Sequence, residues 1–512
     1  MRTHSTFLWL ATPLLLVAVA CGDDTSTGGS GGSGGSDGGA GGSDGEGGDP
    51  VEGGGGGSGG EVSVGGAGGA GGEGGAGGAE PFMPPTPFAV PLSAAGPDQL
   101  QSVAPAEDGK FFAAGFAAQA VGGPRAVVVV KFSPMGPDNT FGTGGVAITS
   151  TPFAGGNDEI DITTQSDGKV LVSATIADAD NPADRDIAIL RLGTDGTPDA
   201  TFGTDGVAAI DLNQAHDNGT MLVGLDAARS ITVDADDNIF VHAVSRGLGL
   251  ATGGGPRTDT DFTVVKLTPD GAVDAGFGEG GQFRLDIQEA NATSRGIKAL
   301  ADGSLLVGGY ANTPDLASTQ PVLYKLTADG DLDTEFANEG VFHEAVLATQ
   351  TEVYNFALHG DRFVTAGYGR NTGETNDYVS LRFDVATGDR DTTWGGAPNG
   401  AVVIDPSGAM LGSNARNAIG LPDGKTIIIG STGPGNMPAQ DAVFVVLDEN
   451  GALDTKYGTG ITVLKLGNDG NDQFWGGAVS GNFVALVGYQ GGGMDQTDTT
   501  NDDAYGVVFE IQ

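Results

Sequence analysis

Asp199-Ala200-Thr201-Phe202-Gly203 is one of six copies of a short phrase: Asp, two residues, a large aromatic and, in all but one copy, Gly. The aromatics are Phe141, Phe202, Phe277, Phe336, Trp394 and Tyr457, and each follows an Asp by three positions (Asp138, Asp199, Asp274, Asp333, Asp391, Asp454). Successive aromatics are 61, 75, 59, 58 and 63 residues apart. A period this regular marks a repeat architecture.

The order of signals within each period is constant. A tight turn comes first: Asp108-Gly109, Asp167-Gly168, Asp236-Asp237-Asn238, Asp302-Gly303, Gly360-Asp361, Asp423-Gly424 and Gly481-Asn482. A short apolar strand follows, such as Lys169-Val170-Leu171-Val172, then a polar loop of variable length and a second strand such as Asp186–Leu192. Another turn leads into the Asp-x-x-aromatic phrase, and a last strand such as Gly206–Ile210 ends the unit. These runs are short, rich in β-branched residues and bounded by turn formers, with no sustained helical period. Val127-Val128-Val129-Val130 is apolar on both parities, which calls for burial on both faces. Stacked blades supply that burial.

The fold expected is therefore all-β: a closed β-propeller of seven blades, each of about 60 residues. The seventh unit stops at Phe509-Glu510-Ile511-Gln512, one strand short, while Pro87–Leu92 reads as a strand with no unit before it. The N-terminal strand would complete the last blade and remove the open edges. The recurrent Asp suits a structural role, since its carboxylate can accept backbone N–H groups two or three residues on. Lys131, Arg191, Lys266, Lys325 and Arg382 recur near the ends of second strands, where their stems can cover apolar surface while their heads reach turn carboxylates.

Asp167-Gly168-Lys169, then Arg191-Leu192-Gly193-Thr194-Asp195-Gly196, then Asp199-Ala200-Thr201-Phe202-Gly203 resembles the delta-60 repeat family of exported bacterial proteins. The resemblance covers roughly residues 98–512; the fifth and sixth units depart from it with Trp394 and Tyr457, and the fifth reverses its first turn. It implies propeller-like blades and a cell-envelope setting, and brings no established activity or catalytic residues.

Upstream of the repeats the chain changes character twice. Residues 1–20 carry Arg2, an apolar run from Phe7 to Ala20 and small residues before Cys21, the pattern of an export signal. Ala18-Val19-Ala20-Cys21 resembles a bacterial lipobox, with Ala18 where Leu is usual, and so implies lipid attachment at Cys21. Cys21 is the chain's single cysteine, so no internal disulfide and no other thiol is available. Residues 21–80 are a Gly-rich tether with ten acidic and no basic side chains, too poor in apolar groups to offset chain entropy. Such a chain reaches roughly 40–45 Å. The expected location is the cell envelope, at the outer membrane or cell surface, with membrane contact only through the lipid. Gly22 follows the cysteine, rather than an Asp that can signal inner-membrane retention.

Residues 81–512 carry 56 acidic against 22 basic side chains, a net of −34, which argues against nucleic acid or an anionic membrane surface as partner. No catalytic set emerges. His216, His242, His343 and His359 lack zinc-motif spacing and read as ordinary strand or loop residues. Gly276-Phe277-Gly278-Glu279-Gly280-Gly281 spells a dinucleotide fingerprint without the helix that gives it meaning. The variable loops carry what chemistry there is, since they join the same two strands of each blade and gather on one face. Asp178, Asp180 and Asp184 are weak calcium candidates. Arg246, Arg257 and Asp259 in one long loop, with Asp495, Asp498 and Asp502 in another, are candidate binding residues. The expectation is a monomeric, non-enzymatic binding or interaction scaffold for an envelope protein or glycan, without a required cofactor. The alternative is an extracellular carbohydrate hydrolase or lyase using carboxylates on the loop face or in the central channel.

Overall fold

A computed structural model describes residues 82–92, 96–118, 120, 123–154, 159–177, 184–212, 226–255, 257–433, 440–466, 471–491 and 503–512. All lie in the second of the chain's two compact units, which begins at Gly60. The export signal, Cys21, the tether to Glu80, His216, Asp178, Asp180, Asp495, Asp498 and Asp502 fall outside the described residues.

The chain is a β-propeller, and its described strands fall into seven successive antiparallel groups, or blades, the fourth and fifth joined in one ten-stranded sheet. Blade one comprises Asp98–Pro105, Phe111–Ala118, Arg125–Ser133 and Val146–Phe153. Blade two comprises Asp161–Thr164, Val170–Ala177, Arg185–Leu192 and Val207–Ile210, and blades three, four and six repeat the order. Blade five is less regular: its third strand breaks at Leu381 into Asp377–Ser380 and Arg382–Asp384, and Thr319 of blade four bridges to Gln350 beside it.

Closure follows the expected scheme. Phe88–Val90 pairs antiparallel with Asp503–Glu510, Ala89 facing Tyr505, as the outermost strand of blade seven. The first strands of the blades form the inner ring, each touching the next, and Gln473–Ser480 of blade seven meets Asp98–Pro105 of blade one. Asp98 Oδ1 accepts from Ala504 N at 2.6 Å across that seam. Phe82 adds a clasp by packing against Phe444, Tyr457 and Phe509 of blades six and seven. Deleting residues 82–92 is expected to lower Tm by about 5 °C and to cause self-association through the bared edge of Asp503–Glu510. Melting curves and sedimentation would check this, and a monomer with unchanged Tm would count against closure by this strand.

The repeated phrase proves to be the joint between blades. All six aspartates accept the N–H two residues on, for example Thr201 N at 3.0 Å and Thr393 N at 2.8 Å. The recurrent cations pair with them: Lys131–Asp138 at 3.9 Å, Arg191–Asp199 at 3.0 Å, Lys266–Asp274 at 3.0 Å, Lys325–Asp333 at 3.2 Å and Arg382–Asp391 at 2.5 Å. In blade six Val446 holds the equivalent place, and Lys425 reaches Asp454 instead, at 3.0 Å. Hydrogen bonds from Thr201 and the neighbouring cations hold the Asp199 carboxyl down to about 2. The aromatic then lies under the turn of the next blade. Gly142 N donates to Asp195 O at 2.8 Å, Gly203 N to Asp270 O at 3.3 Å, Gly278 N to Asp329 O at 2.8 Å and Gly395 N to Asn450 O at 2.9 Å. In the sixth phrase Tyr457 stands where Phe does elsewhere, and its hydroxyl accepts from the N–H of Gln512 at 3.0 Å.

Candidate functional site

Five of the inner strands break step with their neighbours at one place each. The register shifts between Leu100 and Ser102, Ala228 and Ser230, Ser294 and Ile297, Ala415 and Asn417, and Phe474 and Gly476. A bulge leaves its extra residue unpaired and re-aims it. In blades two and five the strand starts one residue later, and Ile160 and Tyr354 occupy the matching position. The result is a ring contributed by all seven blades: Gln101, Ile160, Arg229, Arg295, Tyr354, Arg416 and Trp475. They line a recess of about 50 Å³ that opens to solvent, together with Ser102, Glu159, Asp161, Ser230, Asn355 and Asn417. That size holds a few waters or the end group of a larger molecule.

The carboxylates of the recess are engaged. Glu159 pairs with Arg295 and, at 3.7 Å, with Arg229. Asp161 accepts from Ser102 Oγ at 2.5 Å, Ser230 Oγ at 2.7 Å and Ile231 N at 2.9 Å, stitching blades one, two and three together. The Arg295 guanidinium stacks 4.0 Å from the Tyr354 ring centroid and donates to Tyr310 Oη at 3.1 Å. Burial works against its charge, but Glu159 and the facing tyrosines outweigh it and hold its pKa well above the usual value. Arg416 lies 4.9 Å from the Tyr354 centroid and 4.6 Å from that of Trp475, with no carboxylate in ion-pair contact among the described residues.

A second layer fixes this ring. Tyr310, Tyr354 and Tyr368 pack as a cluster, with Tyr354 Oη and Tyr368 Oη 3.2 Å apart. Glu352 is buried behind them, its Oε1 accepting from Gln350 Nε2 at 2.6 Å, and burial pushes its carboxyl up. His242 Nδ1 sits 3.2 Å from the Arg295 carbonyl and its Nε2 3.3 Å from Tyr324 Oη. Burial drives its pKa down to about 3, so the ring is neutral, and both its nitrogens are engaged beneath the bulge. His359 Nε2 is likewise committed, to Thr426 Oγ1 at 2.8 Å.

The loop candidates form a separate cluster, outside the recess. Arg257 reaches Asp259 with Nε at 3.0 Å, Asp261 at 2.7 Å and Asp286 at 2.8 Å, filling the space between three carboxylates whose oxygens lie within 4.8 Å of one another. Arg246 donates to Thr258 O at 2.5 Å. The loop is thus held by its own charges, with the guanidinium where a cation would sit. Asp186, Asp211 and Asp226 form a second such trio, and there Asp226 accepts Leu212 N at 2.5 Å as a link between blades two and three. Asp184 accepts the N–H of Arg185 at 3.0 Å.

The sequence reading missed the ring, although a signal for it exists. Each ring residue lies seven positions before the Asp or Asn of its unit's first turn: Gln101 before Asp108, Arg229 before Asp236, Arg416 before Asp423, Trp475 before Asn482. That place is constant while its occupant varies, which is the pattern of a site carried on a scaffold.

A family described as a beta-propeller domain of unknown function, DUF5122, matches residues 165–202 and 300–336. No curated protein sequence is detectably similar. Similar solved structures include a protein of unknown function from Dyadobacter fermentans DSM 18053, 11% identical over 83% of this chain and 98% of that chain, with a TM-score of 0.41. Another is the beta-propeller domain of the Trilobed protease from Pyrococcus furiosus, described as having an open velcro topology, 10% identical over 82% and 97%, TM-score 0.39. A third is the acylaminoacyl peptidase from Pyrococcus horikoshii, 9% identical over 77% of this chain and 49% of that chain, TM-score 0.35. At these identities nothing of their chemistry carries over to this chain.

Proposed function

We propose that the chain is a non-catalytic binding module of the cell envelope, holding a small acidic ligand, or the acidic end of a protein or glycan, in its axial recess. The observation that carries this reading is a reversal of charge. In a chain of net −43, the recess presents three guanidiniums, and one of them, Arg416, has no carboxylate partner among the described residues. An unneutralised cation in a partly desolvated site attracts an anion strongly. The export signal, lipid attachment at Cys21 and the Gly-rich tether support a module held at the outer membrane or cell surface and free to reorient. Hydrolysis by paired carboxylates needs one of them free to take or give a proton. Here Glu159 is ion-paired and Asp161 accepts from three donors of its neighbours.

The test is a thermal-shift screen of the purified protein against acidic, neutral and basic small molecules, with each compound recovered and analysed afterwards. Acidic compounds are expected to raise Tm and to return unchanged. Cleavage of a neutral glycoside, lost in Asp161→Asn, would replace this reading with the hydrolase.

A further inference from the structure

Among the described residues that line the recess the unpartnered polar atoms are donors, while behind them Glu352 Oε2 is a buried acceptor without a partner. Arg295 Nε, Arg416 Nε and Trp475 Nε1 are each buried without a hydrogen-bond partner. Buried donors of this kind are uncommon because each forfeits its bond to water. Three of them facing one small space call for an acceptor, and the charge balance says which kind. At the recess Arg229, Arg295 and Arg416 stand against Glu159 and Asp161, and burial pushes the carboxyl of Glu352 behind them up, towards its neutral form, so positive charge is left over. A singly charged anion closes that balance; a doubly charged one overshoots it and meets the Glu159 and Asp161 carboxylates.

Shape narrows the choice further. The rings of Tyr354 and Trp475 lie against the Arg416 guanidinium, so what it offers a ligand is its hydrogen-bonding edge. That edge carries parallel N–H groups spaced for the two oxygens of a carboxylate. The remaining wall is uncharged and hydrogen-bonding: Gln101, Ser102, Asn355 and Asn417. Such groups suit hydroxyls next to the anion and reward an apolar tail poorly.

We infer that the recess takes a hydroxylated monocarboxylate of the sugar-acid type, with Arg416 gripping the carboxylate edge-on and Trp475 Nε1 and Arg295 completing its acceptors. This rests on the binding reading above and adds the ligand class to it. Arg416 is the residue that discriminates the anion. Arg295 is half committed to Glu159 and contributes less.

The experiment is calorimetric titration of the purified protein with glucuronate, gluconate, glucose, sulfate and phosphate, with tryptophan emission followed in parallel because Trp475 lines the recess. Glucuronate or gluconate is expected to bind and shift the emission, glucose not to bind, and phosphate and sulfate to bind at least about 10-fold more weakly. Arg416→Gln removes a charged hydrogen-bonding partner and is expected to weaken the sugar acid by about 10- to 100-fold. Should that variant fail to fold, Arg416→Lys keeps the charge, loses the fork and is expected to weaken binding less, with the melting curve unchanged. Phosphate or sulfate binding as tightly as the sugar acids would overturn the ligand class and leave the binding reading intact, whereas binding of glucose alone would overturn both. If no compound binds or moves the tryptophan emission, both readings fall.

Discussion

Arg257→Ala is expected to destabilise the protein by about 3 kcal/mol and to steepen the local loss of stability as pH rises. The guanidinium is a tethered counter-ion for Asp259, Asp261 and Asp286, and breaking a buried pair costs more than making it gains because the remaining charge is stranded. Asp286 is partly exposed, so the lower end of the usual range applies. Asp261 feels the loss most. Burial already raises its carboxyl to about 6, with Asp286 and Asp259 adding to the rise and Arg257 opposing it. Without Arg257 it rises further above its unfolded value of about 3.9. A raised carboxyl means that the folded state holds more protons than the unfolded one, so stability falls as pH climbs through the folded pKa. The variant should therefore lose least relative to wild type near pH 4 and most near pH 7. Millimolar calcium should recover part of the loss at pH 7, since three carboxylates within 4.8 Å supply oxygens of the kind calcium prefers. Denaturant titrations at both pH values, with and without calcium, decide it. A loss below about 1 kcal/mol at pH 7 would show that Arg257 is not the cluster's counter-ion.

What the sequence shows well is whatever is settled within a few residues. The Asp-x-x-aromatic phrase is local: carboxylate, the N–H that donates to it and aromatic all lie within four positions, and so it can be found by eye and repeats with little change. Closure by Phe88–Val90 was legible for a different reason, a missing strand at one end and a spare one at the other. The recess was not legible because its residues come from seven different blades, five of them set one residue out of step by a bulge that no composition or alternation pattern announces. Arg229, Arg295 and Arg416 look like surface charges on half-buried strands until the ring brings them to the axis. The loop carboxylates invited attention as a cluster, yet Asp259, with Asp261 and Asp286, turns out to be occupied by its own arginine, Arg257. The constant positions of this repeat hold the fold, and the varied position seven residues before the turn carries the chemistry.

The joint between blades gives the other large effect. Phe202→Ala is expected to cost about 3–5 kcal/mol, the range for removing a fully buried aromatic. Phe202 is fully buried among Leu171, Ile187 and Ile189 of its own blade and Ile239, Val241 and Leu267 of the next, so the void would open between blades rather than within one. Gly271 sits over the ring with φ at +87°, and a Cβ there would stand 2.7 Å from Phe202 Cε2. Gly271→Ala in the native protein therefore meets both backbone strain and a ring that cannot move. In the Phe202→Ala background only the strain remains, so the second substitution should cost less there than it does alone. Residues in contact deviate from additivity in this way. A double-mutant cycle on these two positions measures the joint directly, and additive costs would mean that the aromatic and the glycine of successive repeats do not act as one contact. Hydrogen exchange should add the location: protection lost in the third strand of blade two and the facing strands of blade three, and retained in blade six, whose own joint is made by Tyr457 and the chain's last residue.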